Sequence, residues 1–401
     1  MTTTLTELDE LLAEPAEAAA ARARTAFDRA AAPLADRLVL FGAGKLGRRT
    51  LAGLRRAGIT PVAFADNDPG KWGRDLDGLP VLPPSEAADR HGSRAAFVVT
   101  IWGGDSPHRF EHSATQLAAL GCQRVVPFTL LYWRHAAELL PWYCQDRPER
   151  VLHAAAQVHA AMGCWSDAPS RELYLAHVRW RLTGDSTVLP GPVGHPQYLP
   201  DDLYARLDDE VLVDCGAFDG DSTRAFLAQR GDHFGGVVML EPDPANLARI
   251  AAWRDRLPPG QRRRIEVLPL AVGASREIAW LEATGTVESA LTHAGNPDAL
   301  AVECAPLDDI LRGRPATLIK MDIEGAEPAA VAGAAELIGG SRPVLAVSVY
   351  HQQDHLWSVP LQLAALADRY RFHLRPHNEG GWDLVCYAVP EERALDAGPA
   401  Q

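Results

Sequence analysis

Acidic residues follow glycine-rich turns in the second half of the chain, where they could bind a small charged molecule. The apolar run at residues 211–213 stops at Asp214, and the next residues, Cys-Gly-Ala-Phe-Asp-Gly, form a turn that leads into a helix. A second apolar run at 237–240 ends at Glu241, 27 residues after Asp214. In doubly wound α/β sheets, a carboxylate at about this separation binds the ribose of a nucleotide. The two segments therefore predict a nucleotide-type site at two strand ends.

The turn also indicates the charge of its ligand. Its glycines are Gly216 and Gly220, and this is not the spacing of a dinucleotide fingerprint. Three carboxylates, those of Asp214, Asp219 and Asp221, would repel a phosphate and favour a ligand with a cationic centre. S-adenosylmethionine, which carries a sulfonium and an ammonium group, matches this pattern.

Two later strands also end in residues that can bind or transfer protons. The run 317–321 contains Lys320 and is followed by Asp322 and Glu324, and the run 344–349 is followed by His351. Ligands gather at the carboxyl ends of strands in open α/β sheets, so these side chains should face the same crevice as the first site. The alternative for one of the acids is a cap of the helix that begins near residue 327.

We predict a catalytic role for Lys320, Asp322, Glu324 and His351. The lysine would fix a carboxylate or an acceptor oxygen, one of the two acids would orient the acceptor or bind a divalent metal, and the imidazole would take a hydroxyl proton. Lysine occurs only at Lys45, Lys71 and Lys320, so a lysine inside an apolar strand is unusual in this chain. A core lysine is the alternative.

A second glycine-rich segment lies near the N-terminus. An apolar run at 37–41 leads into Gly42-Ala-Gly-Lys-Leu-Gly47, and a further run at 61–65 ends at Asp66, 24 residues after Gly42. This order of strand, glycine turn, helix, strand and acid is typical of a Rossmann unit. The predicted nucleotide residues here are Gly42, Gly44, Lys45, Gly47 and Asp66. The ligand would be NAD(P) or a nucleotide sugar.

The composition and the positions of prolines and glycines divide the chain into five predicted parts. These are an N-terminal helical segment (1–36), a Rossmann-like domain (37–128), a helical connector or lid (129–198), a larger α/β domain (199–390) and a flexible tail (391–401). The aromatic residues of the connector are either core or a substrate wall. Prolines and glycines at 190–196 mark the boundary before the larger domain.

Charge and composition restrict the partners. The 401 residues carry a formal net charge of −13, with 47% hydrophobic and 23% charged residues. This charge disfavours nucleic acids and acidic membranes as partners, and we interpret the basic run Arg262, Arg263 and Arg264 as a solvated turn, with a local basic patch as the alternative. No apolar run approaches the roughly 20 residues of a membrane span, and the first residues lack the features of a secretory signal. We expect a cytoplasmic protein, a possible homo-oligomer, whose six cysteines form no CxxC pair.

Five segments together resemble the FkbM family of S-adenosylmethionine-dependent methyltransferases over residues 200–390. They are Val-Asp-Cys-Gly-Ala-Phe-Asp-Gly (213–220), Glu-Pro-Asp-Pro-Ala-Asn (241–246), Leu-Asp-Asp-Ile-Leu (307–311), Ile-Lys-Met-Asp-Ile-Glu-Gly-Ala-Glu (319–327) and Tyr350-His351 with Leu356-Trp357. The resemblance implies a class I methyltransferase fold, in which a mostly parallel sheet is closed by an antiparallel hairpin. It also implies methyl transfer to a hydroxyl of a sugar, polyketide or other secondary metabolite, so the partner would be a small molecule or a glycan.

By matched position, the resemblance places Asp214, Gly216 and Gly220 in the methionine loop and Glu241 on the ribose. The full set of predicted cofactor residues is Asp214, Gly216, Ala217, Phe218, Asp219, Gly220, Ser222, Thr223, Glu241, Pro242, Asp243, Asn246, Ala271, Val272 and Asp322. The resemblance leaves open whether Asp322 and Glu324 bind a divalent metal. Two alternatives remain for the N-terminal fingerprint: an NAD(P)-dependent oxidoreductase, or a module that senses a nucleotide sugar or mediates dimerisation.

Overall fold

A computed structural model describes residues 2–103, 108–284, 289–292 and 299–395. Contacts between Cα atoms divide the chain into two compact units. Unit 1 comprises residues 1–159, 172–192 and 378–382, and unit 2 comprises residues 160–171, 193–377 and 383–401. The predicted connector at 129–198 is thus divided between the units, and the predicted tail lies outside the described residues from position 396 onward.

Unit 1 is built from a parallel-rich sheet and short helices. Its strands are β1 (Leu38–Phe41), β2 (Ala63–Ala65), β3 (Asp75–Leu76), β4 (Leu79–Leu82), β5 (Ala96–Val99) and β6 (Val125–Pro127). Its helices are α1 (Thr2–Leu12), α2 (Ala16–Ala31), α3 (Lys45–Arg56), α4 (Pro84–His91), α5 (Phe110–Ala119), α6 (Phe128–Arg134), α7 (Ala136–Leu139) and α8 (Glu149–His153). Helices α9 (Ala155–Met162) and α10 (Ala168–Thr183) each cross a boundary between the units.

The strand order in unit 1 is β3-β4-β2-β1-β5-β6, and only the β3–β4 pair is antiparallel among the pairs described. Strands β1 and β5 are buried along their whole length, which explains why they read as continuous apolar runs. The turn after β1 requires glycine at both ends. Gly42 has a φ of +115°, and a Cβ on Gly47 would lie 1.9 Å from the carbonyl oxygen of Gly42.

Unit 2 contains the larger set of strands. They are β7 (Val211–Cys215), β8 (Gly236–Leu240), β9 (Ile265–Leu268), β10 (Ala271–Val272), β11 (Glu277–Glu282), β12 (Ala290–Thr292), β13 (Leu300–Ala305), β14 (Leu318–Met321), β15 (Val344–Ser348), β16 (Tyr370–Pro376) and β17 (Leu384–Pro390). The helices are α11 (Asp221–Arg230), α12 (Pro244–Arg254), α13 (Pro259–Arg262), α14 (Leu307–Ile310), α15 (Glu327–Ala332), α16 (Ala335–Ser341) and α17 (His355–Leu366).

The main sheet of unit 2 has the order β16-β17-β15-β14-β7-β8-β9. The neighbours from β15 to β9 pair in parallel, whereas β17 is antiparallel to both β15 and β16. Crossover helices place the carboxyl ends of β7, β8 and β14 at the same edge of the sheet. A smaller sheet of order β10-β13-β11-β12 follows β9 in the chain. The predicted parallel sheet closed by an antiparallel hairpin is therefore confirmed.

Hydrophobic side chains on one face of the main sheet of unit 2 pack into a core. The core includes Leu212, Met239, Trp253, Leu318 and Tyr387, each no more than 9% exposed. Among the described residues, no helix is long and apolar enough to cross a membrane.

Candidate active site

A pocket lies in unit 2 at the carboxyl ends of β7, β8 and β14, and together with the open solvent at its mouth it encloses about 740 Å³. The predicted residues that line it are Gly216, Phe218, Ser222, Glu241, Pro242, Asn246, Ala271, Val272, Lys320, Asp322 and Glu324. Asp221, one of the three carboxylates that the sequence predicted to favour a cationic ligand, also lines it. Sequence reasoning did not assign seven other lining residues to the site: Leu240, Leu270, Leu281, Ser289, Leu291, Ile323 and Ala326.

The turn after β7 adopts a backbone that glycine makes possible. Gly216 has a φ of +75°, and a Cβ there would lie 2.0 Å from the carbonyl oxygen of Asp322. Gly220 also has a positive φ of +91° and immediately precedes α11. The close approach joins the β7 turn to the end of β14, so both segments contribute to one pocket wall.

Lys320 holds this turn from inside the sheet. Its Nζ lies 3.1 Å from Oδ1 of Asp214 and donates to the carbonyl oxygens of Cys215 (3.2 Å) and Gly216 (2.5 Å). Oδ2 of Asp214 accepts a hydrogen bond of 2.7 Å from the Thr223 hydroxyl. Burial lowers the pKa of Lys320, but the carboxylates of Asp214 and its neighbours outweigh burial and raise that pKa. The lysine is therefore a charged clamp whose ammonium is bound by the protein itself.

Glu241 orders the loops on the other side of the pocket. Its carboxylate accepts hydrogen bonds from the backbone N–H groups of Phe218 (2.8 Å) and Asp243 (2.9 Å), and the Asn246 amide lies 3.4 Å away. Burial raises the pKa of Glu241 above its usual value despite these donors. A carboxylate with this placement can exchange one of its contacts for a ribose hydroxyl.

Several predicted cofactor residues support the pocket without lining it. Asp243 caps α12 through the Ala245 N–H and accepts from the Ser289 hydroxyl. Asp219 forms an ion pair of 2.7 Å with Arg224 of α11. The other predicted residues outside the lining are Asp214, Ala217, Gly220, Thr223 and, from the catalytic set, His351. These residues shape the turn or lie behind it.

Asp322 is fixed at the pocket wall by two tyrosines. The Tyr198 hydroxyl donates to Oδ2 over 2.8 Å, and the Tyr350 hydroxyl donates to Oδ1 over 3.4 Å. Tyr198 also lies 3.3 Å from the Ser348 hydroxyl and is 5% exposed. Both carboxylate oxygens are thus oriented by groups that do not titrate near neutral pH, because burial raises the pKa of each tyrosine.

His351 lies behind Asp322 among three carboxylates. Nδ1 is 2.7 Å from Glu327, while Nε2 is 3.3 Å from Asp322 and 3.5 Å from Glu324. The second carboxylate oxygen of Glu327 lies 3.3 Å from His355. Burial lowers the pKa of His351, but Glu327 and Glu324 outweigh burial and raise that pKa well above its ordinary value. These carboxylates therefore favour the protonated form of the imidazole.

The same cluster has the chemistry of a divalent-metal site. Ligand atoms of Asp322, Glu327 and His351 lie within 4.8 Å of one another. A carboxylate on the second nitrogen of a histidine is the usual support of a metal-binding imidazole, and Glu327 has that position relative to Nδ1. Carboxylate oxygens and imidazole suit Mg²⁺, Mn²⁺ or Zn²⁺. The predicted pair of Asp322 and Glu324 would then supply ligands beside Nε2.

In unit 1, the glycine turn of the N-terminal fingerprint is present, and its acidic residue, Asp66, is hydrogen-bonded within the protein. Asp66 accepts from the backbone N–H of Ala43 (2.7 Å) and Asp68 (2.8 Å), and Lys71 Nζ lies 3.0 Å from it. Gly44 is the N-cap of α3 and Lys45 is its first residue. These contacts keep the turn closed on its own acid, and the NAD(P) or nucleotide-sugar ligand stays a prediction.

The strand order and the strand-end pocket of unit 2 define a class I methyltransferase fold. Residues 214–374 match the family model described as the methyltransferase FkbM domain. Residues 214–374 are therefore a methyltransferase FkbM domain, and the resemblance drawn from the motifs is confirmed.

Two solved structures give further comparisons. The chain is similar to the crystal structure of methyltransferase FkbM from Methylobacillus flagellatus KT, with 21% identity, a TM-score of 0.74, and coverage of 97% of this chain and 98% of that chain. At this identity the likeness supports the fold. UDP-D-quinovosamine 4-dehydrogenase from Vibrio fischeri is 23% identical over 23% of this chain and 76% of that chain, and its TM-score of 0.20 carries no inference. None of the curated proteins matches the chain significantly in sequence.

Proposed function

We propose that this chain is an S-adenosylmethionine-dependent O-methyltransferase that acts in the cytoplasm on a hydroxyl of a sugar, polyketide or related secondary metabolite. The observation that carries the proposal is that acidic side chains outnumber basic ones on the pocket wall. Asp221, Glu241, Asp322 and Glu324 line the pocket, and its lysine, Lys320, is already paired with Asp214. A cationic ligand is favoured in such a site, whereas a pyrophosphate is repelled.

The lining residues would suit each part of the cofactor. Glu241 would bind the ribose hydroxyls, Leu240 and Leu270 would offer apolar surface to the adenine, and Asp221 and Asp322 would bind the cationic half. S-adenosylmethionine, when bound, supplies the methyl group. The chain supplies alignment, which is worth roughly 7–11 kcal/mol when two reactants are held in a reactive geometry.

We assign the acceptor proton to Asp322. Its carboxylate lines the pocket and is oriented by Tyr198 and Tyr350, so it can accept a hydrogen bond from an acceptor hydroxyl and take the proton as the oxygen is methylated. We assign His351 a supporting role in place of the predicted base, because the surrounding carboxylates favour its protonated form, which has no free lone pair. It instead holds Asp322 and Glu324 in place by charge-assisted contacts.

The test of this function is cofactor binding followed by transfer of a labelled methyl group. Glu241→Ala should weaken S-adenosylmethionine binding by about 1.5–3 kcal/mol, the usual contribution of hydrogen bonds to a charged group. Calorimetry measures the affinity. With methyl-labelled cofactor and a panel of glycosides and hydroxylated lactones, the wild type should release S-adenosylhomocysteine and label a hydroxyl oxygen.

Glu266→Ala is the matched control, because Glu266 lies on the next strand of the same sheet in an exposed ion pair with Arg314. Its affinity should equal that of the wild type. An unchanged affinity in a folded Glu241→Ala variant would remove Glu241 from the site. Labelled nitrogen or carbon in the product would refute O-methylation while leaving methyl transfer intact.

The pH dependence of turnover tests the role of His351. Carboxylates raise the pKa of this imidazole, so its charged contacts are complete below about pH 6.5 and are lost as the pH rises through the elevated folded-state pKa. The rate should therefore stay level across neutral pH and fall in the alkaline range. A rate that instead rises across neutral pH would identify His351 as a base.

Adding a chelator to the same enzyme preparation tests whether the cluster around His351 holds a metal. If turnover is lost in EDTA and restored by Mg²⁺ or Mn²⁺, the cluster holds a metal and the charged-imidazole assignment is wrong. A rate that is insensitive to chelator supports the hydrogen-bonded cluster.

A further inference from the structure

Unit 1 contains a pocket of its own, which encloses about 530 Å³ together with the open solvent at its mouth. It lies where β5 and β6 end, and neither the glycines of the N-terminal fingerprint nor Asp66 line it. Its walls combine the rings of Trp102, Phe128 and Trp180 with the charged side chains Arg109, Glu111 and Glu379. We name it the unit 1 pocket. A concave site with several aromatic faces and a few converging polar groups is typical of a binding site for a small molecule.

The aromatic walls are held in fixed positions. The Trp102 indole N–H donates to the carbonyl oxygen of Gly380 over 2.7 Å, and its ring centroid lies 5.6 Å from that of Phe128. A Cβ on Gly381 would lie 2.6 Å from the Trp180 ring, so glycine lets the backbone approach this indole closely. The pocket thus has flat apolar surfaces that do not need to be ordered by a ligand.

The polar groups offer donors and acceptors side by side. Nε of Arg109 is 2.6 Å from Oε2 of Glu379, and the two side chains are 31% and 19% exposed. Within the part of the chain that the structure describes, no hydrogen bond uses the two Nη atoms of Arg109 or Oε1 of Glu379, and Oε1 of Glu111 is buried without a partner. Donors and acceptors therefore both remain available at one wall.

We propose that the unit 1 pocket binds a neutral sugar ring of the hexopyranose class. A hydroxyl both donates and accepts, so neighbouring ring hydroxyls can bond to Arg109 and to the carboxylates of Glu379 and Glu111 at once. The C–H face of a pyranose carries a slight positive charge and is attracted to the electron-rich face of an indole. The proposal does not rest on the methyl-transfer activity of unit 2.

Other ligand classes fit the unit 1 pocket less well. Two carboxylates against one guanidinium repel a phosphate, which disfavours nucleotides and nucleotide sugars. A purely apolar ring would cover Glu111 and Arg109 without replacing their hydrogen bonds with water, at a cost in free energy.

Saturation-transfer NMR on the full chain tests the proposal. The probes are the methyl α-glycosides of glucose, galactose and mannose, with UDP and indole as the competing ligand classes. We expect transfer to the C–H protons of at least one glycoside and quenching or enhancement of tryptophan fluorescence on titration. Glu379→Gln should lower the affinity by about 10-fold or more, because a hydrogen bond to a charged group is lost. Glu111→Gln should also weaken binding and leaves the Arg109 ion pair in place.

Glu14→Gln is the matched control, since Glu14 forms an ion pair of 2.6 Å with Arg22 in unit 1 at 31% and 30% exposure. Its affinity should equal that of the wild type. Absence of transfer to all three glycosides overturns the proposal, and so does binding that is unchanged in both Glu379→Gln and Glu111→Gln. Transfer to UDP or indole alone would assign the pocket to that ligand class. S-adenosylmethionine affinity is measured in parallel, so failure here is distinguishable from failure of the proposed function.

Discussion

Replacing Asp322 with asparagine should lower kcat by about 10²–10⁴-fold, the contribution expected of a positioned base. Asparagine keeps the shape of the side chain, and its single oxygen can accept from one of the two tyrosines while its NH2 group donates to the other hydroxyl oxygen, but it cannot take a proton. S-adenosylmethionine affinity should change much less than the rate, because Glu241 and the β7 turn supply the principal contacts to the cofactor. Single-turnover release of S-adenosylhomocysteine with the best acceptor of the panel measures the step.

Two further variants locate the effect. Tyr198→Phe removes the hydroxyl that lies 2.8 Å from Asp322 and should slow the reaction by about 10-fold or more, without abolishing it, because the carboxylate remains. Glu324→Gln tests the neighbouring acid. If Glu324→Gln loses the activity and Asp322→Asn retains it, the proton acceptor is Glu324. If each of the three variants is within a few-fold of the wild type, alignment is the main source of catalysis.

The location of the site could be predicted because parallel strands place their carboxyl ends together. Asp214, Glu241 and Asp322 each follow an apolar run, and two of them line the pocket of unit 2. Their spacing along the chain carries no information on which of them faces inward. Asp214 lies behind the turn because its partner is Lys320, and this pairing depends on strand register.

Register is the part that sequence patterns could not supply here. Lys320 and Asp214 are directly paired residues of neighbouring parallel strands, although 106 positions separate them. The apolar runs show where β7 and β14 lie along the chain, but not that they are adjacent or aligned at these residues. The sequence therefore marked Lys320 as unusual without identifying its partner.

The hydrogen bonds that orient Asp322 could not be predicted from the sequence either, and the reason is physical. Tyr198 follows a segment of prolines and glycines and has a φ of +65°, so no helical or strand pattern predicts where its hydroxyl lies. Glu327 was part of the family motif and was expected near a helix start. It is the first residue of α15, but it is fully buried, with its carboxylate on His351. The acidic surroundings of His351 are the reason that we propose a cation in place of the predicted base.

Replacing Lys320 with methionine should destabilise unit 2 by about 3–5 kcal/mol, because it leaves Asp214 as a buried charge without a counterion. Methionine fills a similar volume, so the loss is electrostatic rather than a cavity. Hydrogen exchange of β7 and β14 amides under a urea titration measures the local free energy of opening, which is more informative than a global transition in a chain of two units.

The double variant Lys320→Met with Asp214→Asn separates the effect of the buried ion pair from the effect of the hydrogen bonds that Lys320 donates to the turn. Removing both charges should recover much of the stability, since neutral partners avoid the desolvation cost of the pair. It should not recover S-adenosylmethionine binding, because the hydrogen bonds from Nζ to the carbonyl oxygens of Cys215 and Gly216 are still missing. Arg314→Met, which breaks the exposed pair with Glu266, should cost at most about 1 kcal/mol. A Lys320→Met variant as stable as this control would mean that water reaches Asp214 and that the lysine holds the turn through hydrogen bonds alone.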